Sequence, residues 1–362
     1  MKKTMFKPYL LLLLISIFTV SCNSDDDALP QEELPPAGAY ANGMFILNEG
    51  GFGNSNASVS FVGENGELSN SIFTEVNNRN LGDVAQSMGF FEDNAYIVVN
   101  NSSTVEVVDR YTFEEIATIT EMVSSPRYIA FSGNKGFITN WGDPTNANDD
   151  FVAVLNLETN LVEAQIPVGE GPEKLLVENG KIYVAHKGGY GFGNAITVID
   201  VASQSVNGTI TVADVPDGMV ADNGKLYVLC AGKPAYTEDE TLGGIYKIDL
   251  ASQTVESTID FPETQHPGFL EMENGMLYYT LNNEIFTVNS NSFVLNTTPI
   301  FTTEEAGVQV LYGFNVNDGK IYIADAKDYS SNGQAFVFSL QGILQNTFNV
   351  GVIPRAFYFE NE

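Results

Sequence analysis

Asn179-Gly180-Lys181-Ile-Tyr-Val-Ala-His186 is the stretch on which the fold turns, because its pattern returns along the whole chain. An Asn-Gly pair between two apolar runs is a strong hairpin signal, since both turn residues of a type I′ turn need positive φ. The run after it is a six-residue strand with an aromatic ring at its third position. The same phrase reads Gly43-Met-Phe-Ile-Leu-Asn48, Asn94-Ala-Tyr-Ile-Val-Val99, Lys135-Gly-Phe-Ile-Thr-Asn140, Lys225-Leu-Tyr-Val-Leu-Cys230, Met276-Leu-Tyr-Tyr-Thr-Leu281 and Lys320-Ile-Tyr-Ile-Ala-Asp325. With the first, that makes seven copies, spaced 41 to 51 residues apart. Asn223-Gly224, Asn274-Gly275 and Asp318-Gly319 repeat the turn.

Working outward from each copy gives the unit. Six copies have an earlier strand just before them, beginning near Ser87, Arg127, Glu173, Asp217, Gly268 and Tyr312. Two further strands follow each copy, with no helical stretch expected between repeats. Four strands per unit at this period is the signature of a β-propeller. The copy at Gly43 lacks a strand before it, and Pro354-Arg-Ala-Phe-Tyr-Phe-Glu360 at the end of the chain supplies one. The reading is therefore all-β: a seven-bladed β-propeller over residues 42–362, closed by the C-terminal strand completing the first blade. Closure removes the open sheet edge that would invite aggregation.

Connections differ by class. Turns between first and second strands are two residues long, and third-to-fourth connections such as Val201-Ala-Ser-Gln204 and Leu250-Ala-Ser-Gln253 are short. The segments between second and third strands are long: 48–56, 141–150, 186–194, 231–244 and 326–333. In a propeller these emerge on the face that also carries the blade-to-blade connections. Elaborated loops on a rigid scaffold are where binding usually resides.

These loops hold Trp141, His186, Lys187, Tyr190, Phe192, Lys233, Tyr236, Lys327 and Tyr329, while the blade starts add Arg127, Lys174, Asp217, Tyr312 and Arg355 around the channel mouth. Rings and a few cations on one concave face suit a large, flat, partly polar ligand. The candidate ligand-binding set is Trp141, His186, Lys187, Tyr190, Phe192, Tyr236, Arg127, Lys174, Tyr312 and Arg355. The plainer alternative is that the rings pack on neighbouring loops and the cations neutralise nearby acids.

Catalytic signals are thin. Two histidines, His186 and His266, exclude a three-His metal site, and they fall in blades four and six. A lyase or hydrolase using one of them is an alternative. Gly188-Gly-Tyr-Gly-Phe-Gly193 lacks the following helix that a phosphate-cradling loop needs. The run 143–150 offers oxygen ligands without EF-hand spacing, so it reads as a solvated loop rather than a calcium site. No catalytic residue, metal or cofactor is assigned.

The N-terminus has Lys2, Lys3 and Lys7, an apolar run from Tyr9 to Val20, and then Cys22. That is the plan of a secretory signal over residues 1–21. The apolar run is shorter than the roughly 20 residues of a membrane span. Thr19-Val20-Ser21-Cys22 resembles a bacterial lipobox, with Thr19 where Leu is usual, and marks Cys22 for lipidation. The following Asn23-Ser24-Asp25-Asp26-Asp27 resembles the signal that sends Bacteroidetes lipoproteins to the cell surface. Residues 22–41 then read as an acidic, proline-containing linker.

The chain carries a formal net charge of −30, with 46 acidic against 16 basic residues. Without the three leader lysines the charge is about −33. Such a surface repels phosphate backbones, which excludes nucleic acid, and leaves membrane contact to the lipid anchor. With Cys22 acylated, Cys230 has no disulfide partner and reads as a small core residue.

Phe45-Ile-Leu-Asn-Glu-Gly50, Asn56-Ala-Ser-Val-Ser-Phe61, Leu81-Gly-Asp-Val-Ala-Gln-Ser-Met88, Tyr96-Ile-Val-Val-Asn-Asn101 and Val105-Glu-Val-Val-Asp109 together resemble a family of Bacteroidetes surface lipoproteins. That family is related to the YncE-like and YVTN-type seven-bladed propellers. Its best-understood branch, the BtuG type, captures cobalamin outside the cell and hands it to a TonB-dependent outer-membrane transporter. The resemblance implies a cobamide-like small molecule and such a transporter as partners, outer-membrane anchoring at the cell surface, and no enzymatic activity. A surface propeller that binds protein or carbohydrate is the main alternative.

Overall fold

The computed structural model describes residues 38–359 apart from 144, 263 and 264. The expected signal segment, Cys22 and most of the expected linker lie outside the described residues. Seven four-stranded antiparallel sheets follow one another, each a blade. The seven phrases read from the sequence are the second strands, with their boundaries as quoted. The inner strands are Ala85–Phe91, Pro126–Ser132, Pro172–Glu178, Pro216–Asp222, Gly268–Glu273 and Leu311–Asn317 for blades two to seven, and Pro354–Phe359 for blade one.

Burial explains the pattern that the sequence shows. A second strand has a strand on each side and a blade against each face, so Lys181–His186 is buried at every position after the first. It therefore reads as continuous apolar sequence rather than as an alternation. Outer strands face solvent on one side, and Leu161–Pro167 alternates exposed with partly buried residues. The core lies mainly between blades: Tyr183, Ala185 and Val198 of blade four pack with Leu226, Val228 and Cys230 of blade five. Cys230 is wholly buried, and burial pushes its thiol pKa up, so it behaves as a core residue.

The ring closes as the sequence implies. Pro354–Phe359 pairs antiparallel with Gly43–Asn48. It also packs against the inner strands of blades seven and two. Phe357 and Phe359 are buried against Tyr322, with ring centroids 5.5 and 4.8 Å away.

Two expectations need correction. The all-strand reading missed a helix, Ile72–Asn77, in blade one, where the outer strand shrinks to Leu68–Ser69. Ile72 and Phe73 of this helix are buried in the cluster of Phe45, Phe61 and Phe113, so tertiary packing holds a short segment rich in β-branched residues in helical form. The linker also ends earlier than 41. Tyr40 donates its backbone N–H to Tyr111 and sets its ring edge-on to Phe61 and Phe113.

Asn179, Asn223, Asn274 and Asp318 have φ of 48–52° and are each followed by a glycine at 70–75°, the φ signature of type I′ turns. No helix among the described residues is long and apolar enough to cross a membrane.

Candidate functional site

Every inner strand breaks register once, just after its first paired residue. The extra residues are Gln86, Arg127 with Tyr128, Glu173 with Lys174, Asp217, Phe269, Tyr312 and Arg355. A bulge leaves its extra residue out of the ladder and re-aims the side chain. Here seven bulges at one level around the axis build the channel mouth. Four of these strands open on proline (Pro126, Pro172, Pro216 and Pro354), tolerated because the first residue of a strand can spare its N–H.

The cations of the mouth are paired, as the plainer reading of the sequence has it. Arg127 grips Glu173 through Nε and Nη2 at 2.8–3.1 Å, and the indole of Trp141 lies 4.0 Å from its guanidinium carbon. Trp141 donates Nε1–H to the carbonyl of Pro172 at 3.1 Å. These contacts bolt blade three to blade four. Lys187 Nζ sits 3.2 Å from Asp217 and joins blade four to blade five. Arg355 binds Glu49 and donates to the Tyr128 hydroxyl, while the Tyr312 hydroxyl donates to Glu49 at 3.1 Å.

Electrostatics follow the pairing. Burial alone would raise the pKa of Asp217, but Lys187, Lys174 and Arg355 outweigh it and hold the carboxyl below the usual range. Asp217 in turn raises Lys187. Burial pushes the Tyr312 phenol up to about 12, so it is a donor at neutral pH. Lys174 is different: among the described residues it has no ion pair or hydrogen bond.

His186 is not on the open surface, and the candidate set needs correction there. It ends its strand, buried, with Nδ1 donating to the Glu170 carbonyl at 3.1 Å and Nε2 2.8 Å from the Thr197 hydroxyl. Burial lowers its pKa, which fits a neutral ring protonated at Nδ1 and accepting from Thr197. Asn140 and Asp325 hold the same position in their blades, accepting from the backbone N–H of Ser124 and Val310. All three side chains clamp the connection entering their blade. His266 also points into the framework, toward the Ala231 carbonyl at 2.8 Å and Glu240 at 3.0 Å.

What remains outward is aromatic. Tyr190 is 76% exposed, Phe192 39% and Tyr236 81%, joined by Phe52 at 79% and Tyr329 at 48%. These five are the exposed aromatic rings among the described residues, and all lie in connections between second and third strands. That all these loops share one face is visible in their bonds to blade-to-blade connections: Gly53 to Asp83, Lys187 to Gly171, Ala231 to Val215 and Ala326 to Val310. Gly188, at φ 107°, turns so tightly that a Cβ would meet the Gly193 nitrogen at 2.4 Å, a fold that leaves Tyr190 and Phe192 outward. The candidate set does not include Phe52. Its signal is the run Gly50-Gly51-Phe52-Gly53, whose three glycines weaken any strand around a large apolar ring.

Beneath the mouth lies a channel cavity of about 280 Å³, lined by Tyr128, Lys174, Glu271, Asn315, Arg355 and Tyr358 with Met88, Met219, Phe269 and Phe314. Burial raises the Glu271 carboxyl to about 7, against the lowering effects of Lys174 and Asn315. Among the described residues, no three His, Cys, Asp or Glu side chains gather into a group that could hold a metal ion.

Solved structures share this architecture at low identity. A quinonprotein alcohol dehydrogenase-like protein from Bacteroides thetaiotaomicron is 13% identical with a TM-score of 0.64, over 89% of this chain and 79% of that one. A functionally unknown protein from Desulfotomaculum acetoxidans is 12% identical with a TM-score of 0.64, over 88% and 98%. BamB from Moraxella catarrhalis is 14% identical with a TM-score of 0.53, over 87% and 85%. At such identities the likeness speaks for the fold alone. No protein of curated function matches the sequence. Residues 42–233, more than half of the sequence, match a family described as a domain of unknown function (DUF5074), and the chain belongs to that family.

Proposed function

We infer that this propeller is a non-enzymatic binding protein that takes a large, flat, partly polar ligand on its long-loop face. The observation that carries this is the gathering of all five exposed aromatic rings of the described residues on that face, around a mouth of paired charges. Rings supply broad contact at low entropic cost, and fixed ion pairs offer directional polar groups without a strong net field. Both histidines are engaged by framework partners, which favours binding over chemistry centred on either.

A corrinoid-like nutrient such as cobalamin is the ligand that this face and the resemblance to BtuG-type lipoproteins together favour. On this reading Cys22 is lipidated and the propeller sits on the outer membrane, exposed at the cell surface. It hands its ligand to a TonB-dependent transporter. Calorimetric titration of the purified protein with cyanocobalamin tests the ligand. Saturable binding of one molecule per chain is expected, and heats no larger than those of dilution would sink the assignment. Fatty-acid labelling that persists in Cys22→Ala would sink the anchor.

A further inference from the structure

Six of the seven blades carry an apolar side chain in the connection between third and fourth strands. Each lies in one packed cluster with the second-strand ring of the preceding blade. Phe113 joins Phe45, Leu157 joins Tyr96, Val201 joins Phe137, Leu250 joins Tyr183, Phe293 joins Tyr227 and Leu340 joins Tyr278. Leu157, Val201, Leu250 and Leu340 directly follow their third strands, while Phe113 and Phe293 stand three positions further on. In blade one both positions are glutamates, Glu64 and Glu67. The backbone place is nonetheless the same. The Glu64 N–H donates to Asn42, just before the second strand, as those of Leu157, Val201 and Leu250 donate to Asn134, Gly180 and Gly224. The seventh ring, Tyr322, has no residue of that connection in its cluster. It is 7% exposed, against 0–3% for the rings of blades one to five.

At this joint between blades seven and one a cleft of about 690 Å³ opens, floored by Met44, Val62, Tyr322, Val337, Phe348 and Phe359. Glu64, Asp318 and Lys320 also line it. Glu64 and Asp318 lie in short connections, so the cleft opens on the face opposite the long loops. A carboxylate at Glu64 stays in water rather than lose its hydration over an apolar floor, so the chain leaves this seat unfilled. The six filled seats show what fits: a side chain between valine and phenylalanine in size, carried on a turn of polypeptide. Two acids against one lysine, in a chain of net charge −30, favour a basic neighbour to that side chain. We propose that this cleft is the docking site for a segment of a partner protein. The segment inserts a leucine- or phenylalanine-sized side chain over Tyr322 and sets a basic residue beside Glu64 and Asp318. The site does not rest on the function proposed above, which uses the other face.

Full-length protein labelled with ¹³C-methyl methionine reports the cleft through Met44, whose resonance Met44→Leu identifies. The tripeptide acetyl-Lys-Leu-Lys-amide should shift it saturably, in the millimolar range expected for so small a ligand. Acetyl-Lys-Ala-Lys-amide should bind about tenfold more weakly, because it lacks the buried carbons of leucine. Acetyl-Glu-Leu-Glu-amide should bind about fivefold more weakly, with the difference shrinking at high salt. Glu64→Leu should fill the seat as Leu157 and Leu250 fill theirs, raising the melting temperature and weakening the Lys-Leu-Lys peptide about tenfold. Glu64→Gln, which removes only the charge, should weaken it about twofold to threefold. The comparison of peptides needs no variant to fold. Three results would overturn the site: no Met44 shift with the Lys-Leu-Lys peptide, equal affinity for the alanine or glutamate peptide, or wild-type affinity in Glu64→Leu. A Met44 resonance that moved with protein concentration alone, together with dimers that Glu64→Leu abolished, would give the cleft to a second copy and overturn the partner.

Discussion

The two faces of this ring are built from the same seven repeats and follow opposite rules. On one, inner and second strands are joined by two-residue turns whose φ values, such as 49° and 74° at Asn223 and Gly224, leave the sequence little choice. On the other, the connections between second and third strands vary from blade to blade and carry every exposed aromatic ring of the described residues. One face is fixed by backbone conformation and the other is free to hold side chains that the fold does not need. A residue's place on one face or the other therefore foretells what its loss does.

Loss of the closing strand should have the largest effect, because both faces depend on the ring. Deleting residues 352–362 removes Pro354–Phe359, uncovers Ile46 and Leu47, and strips Tyr322 of Phe357 and Phe359. Burying side chains of this size contributes about 1.5–3 kcal/mol each. Several together approach the whole margin of roughly 5–15 kcal/mol by which domains are stable. Aggregation or loss of cooperative melting in calorimetry is expected. A truncated protein that melted like wild type would break the ring closure.

Next come the aromatic rings of the variable face. Tyr190→Ala and Tyr236→Ala should each cost about 1–3 kcal/mol of affinity for cyanocobalamin, within the range of interface hot spots. Their melting temperatures should hardly move, because both rings stand largely in solvent. Trp141→Ala should lower both quantities, since its ring packs on Arg127 and bonds Pro172. Titration and calorimetry on the three variants separate the cases. Wild-type affinity in both Tyr variants would mean that the variable face is not the working one.

What the sequence made legible follows the same division. The second strands and their Asn-Gly or Asp-Gly turns could be read to the residue, because local backbone demands and two-sided burial write them directly into the chain. The helix Ile72–Asn77 could not, since only contacts with Phe45 and Phe113 hold it. His186 drew attention as one of two histidines, yet its partners Glu170 and Thr197 make it a clamp, a role shared with Asn140 and Asp325 that no local pattern announces. The mouth cations were visible, and which acids they pair with was not. Arg355 and Glu49 lie at opposite ends of the chain and meet only when the ring closes.

The smallest effect belongs to the constrained face. Gly224 has φ 74°, and a Cβ built there would touch nothing within 4 Å. Gly224→Ala therefore tests backbone conformation without a clash. A non-glycine residue in the left-handed region costs roughly 1–2 kcal/mol. Spread over the unfolding entropy of a domain this large, that lowers the melting temperature by about 1.5–3 °C. The turn joins the inner and second strands of blade five at the end opposite the long loops, so cyanocobalamin titration should match wild type. Asn223→Ala, at φ 49°, should behave alike, with a slightly smaller loss because asparagine already bears part of the same strain. A stability loss with intact affinity would separate the two faces by measurement. Weakened binding from a turn on the trimmed face would mean that the faces are coupled through the inner strand Pro216–Asp222, whose second residue Asp217 lies beside Lys187 and whose last precedes this turn.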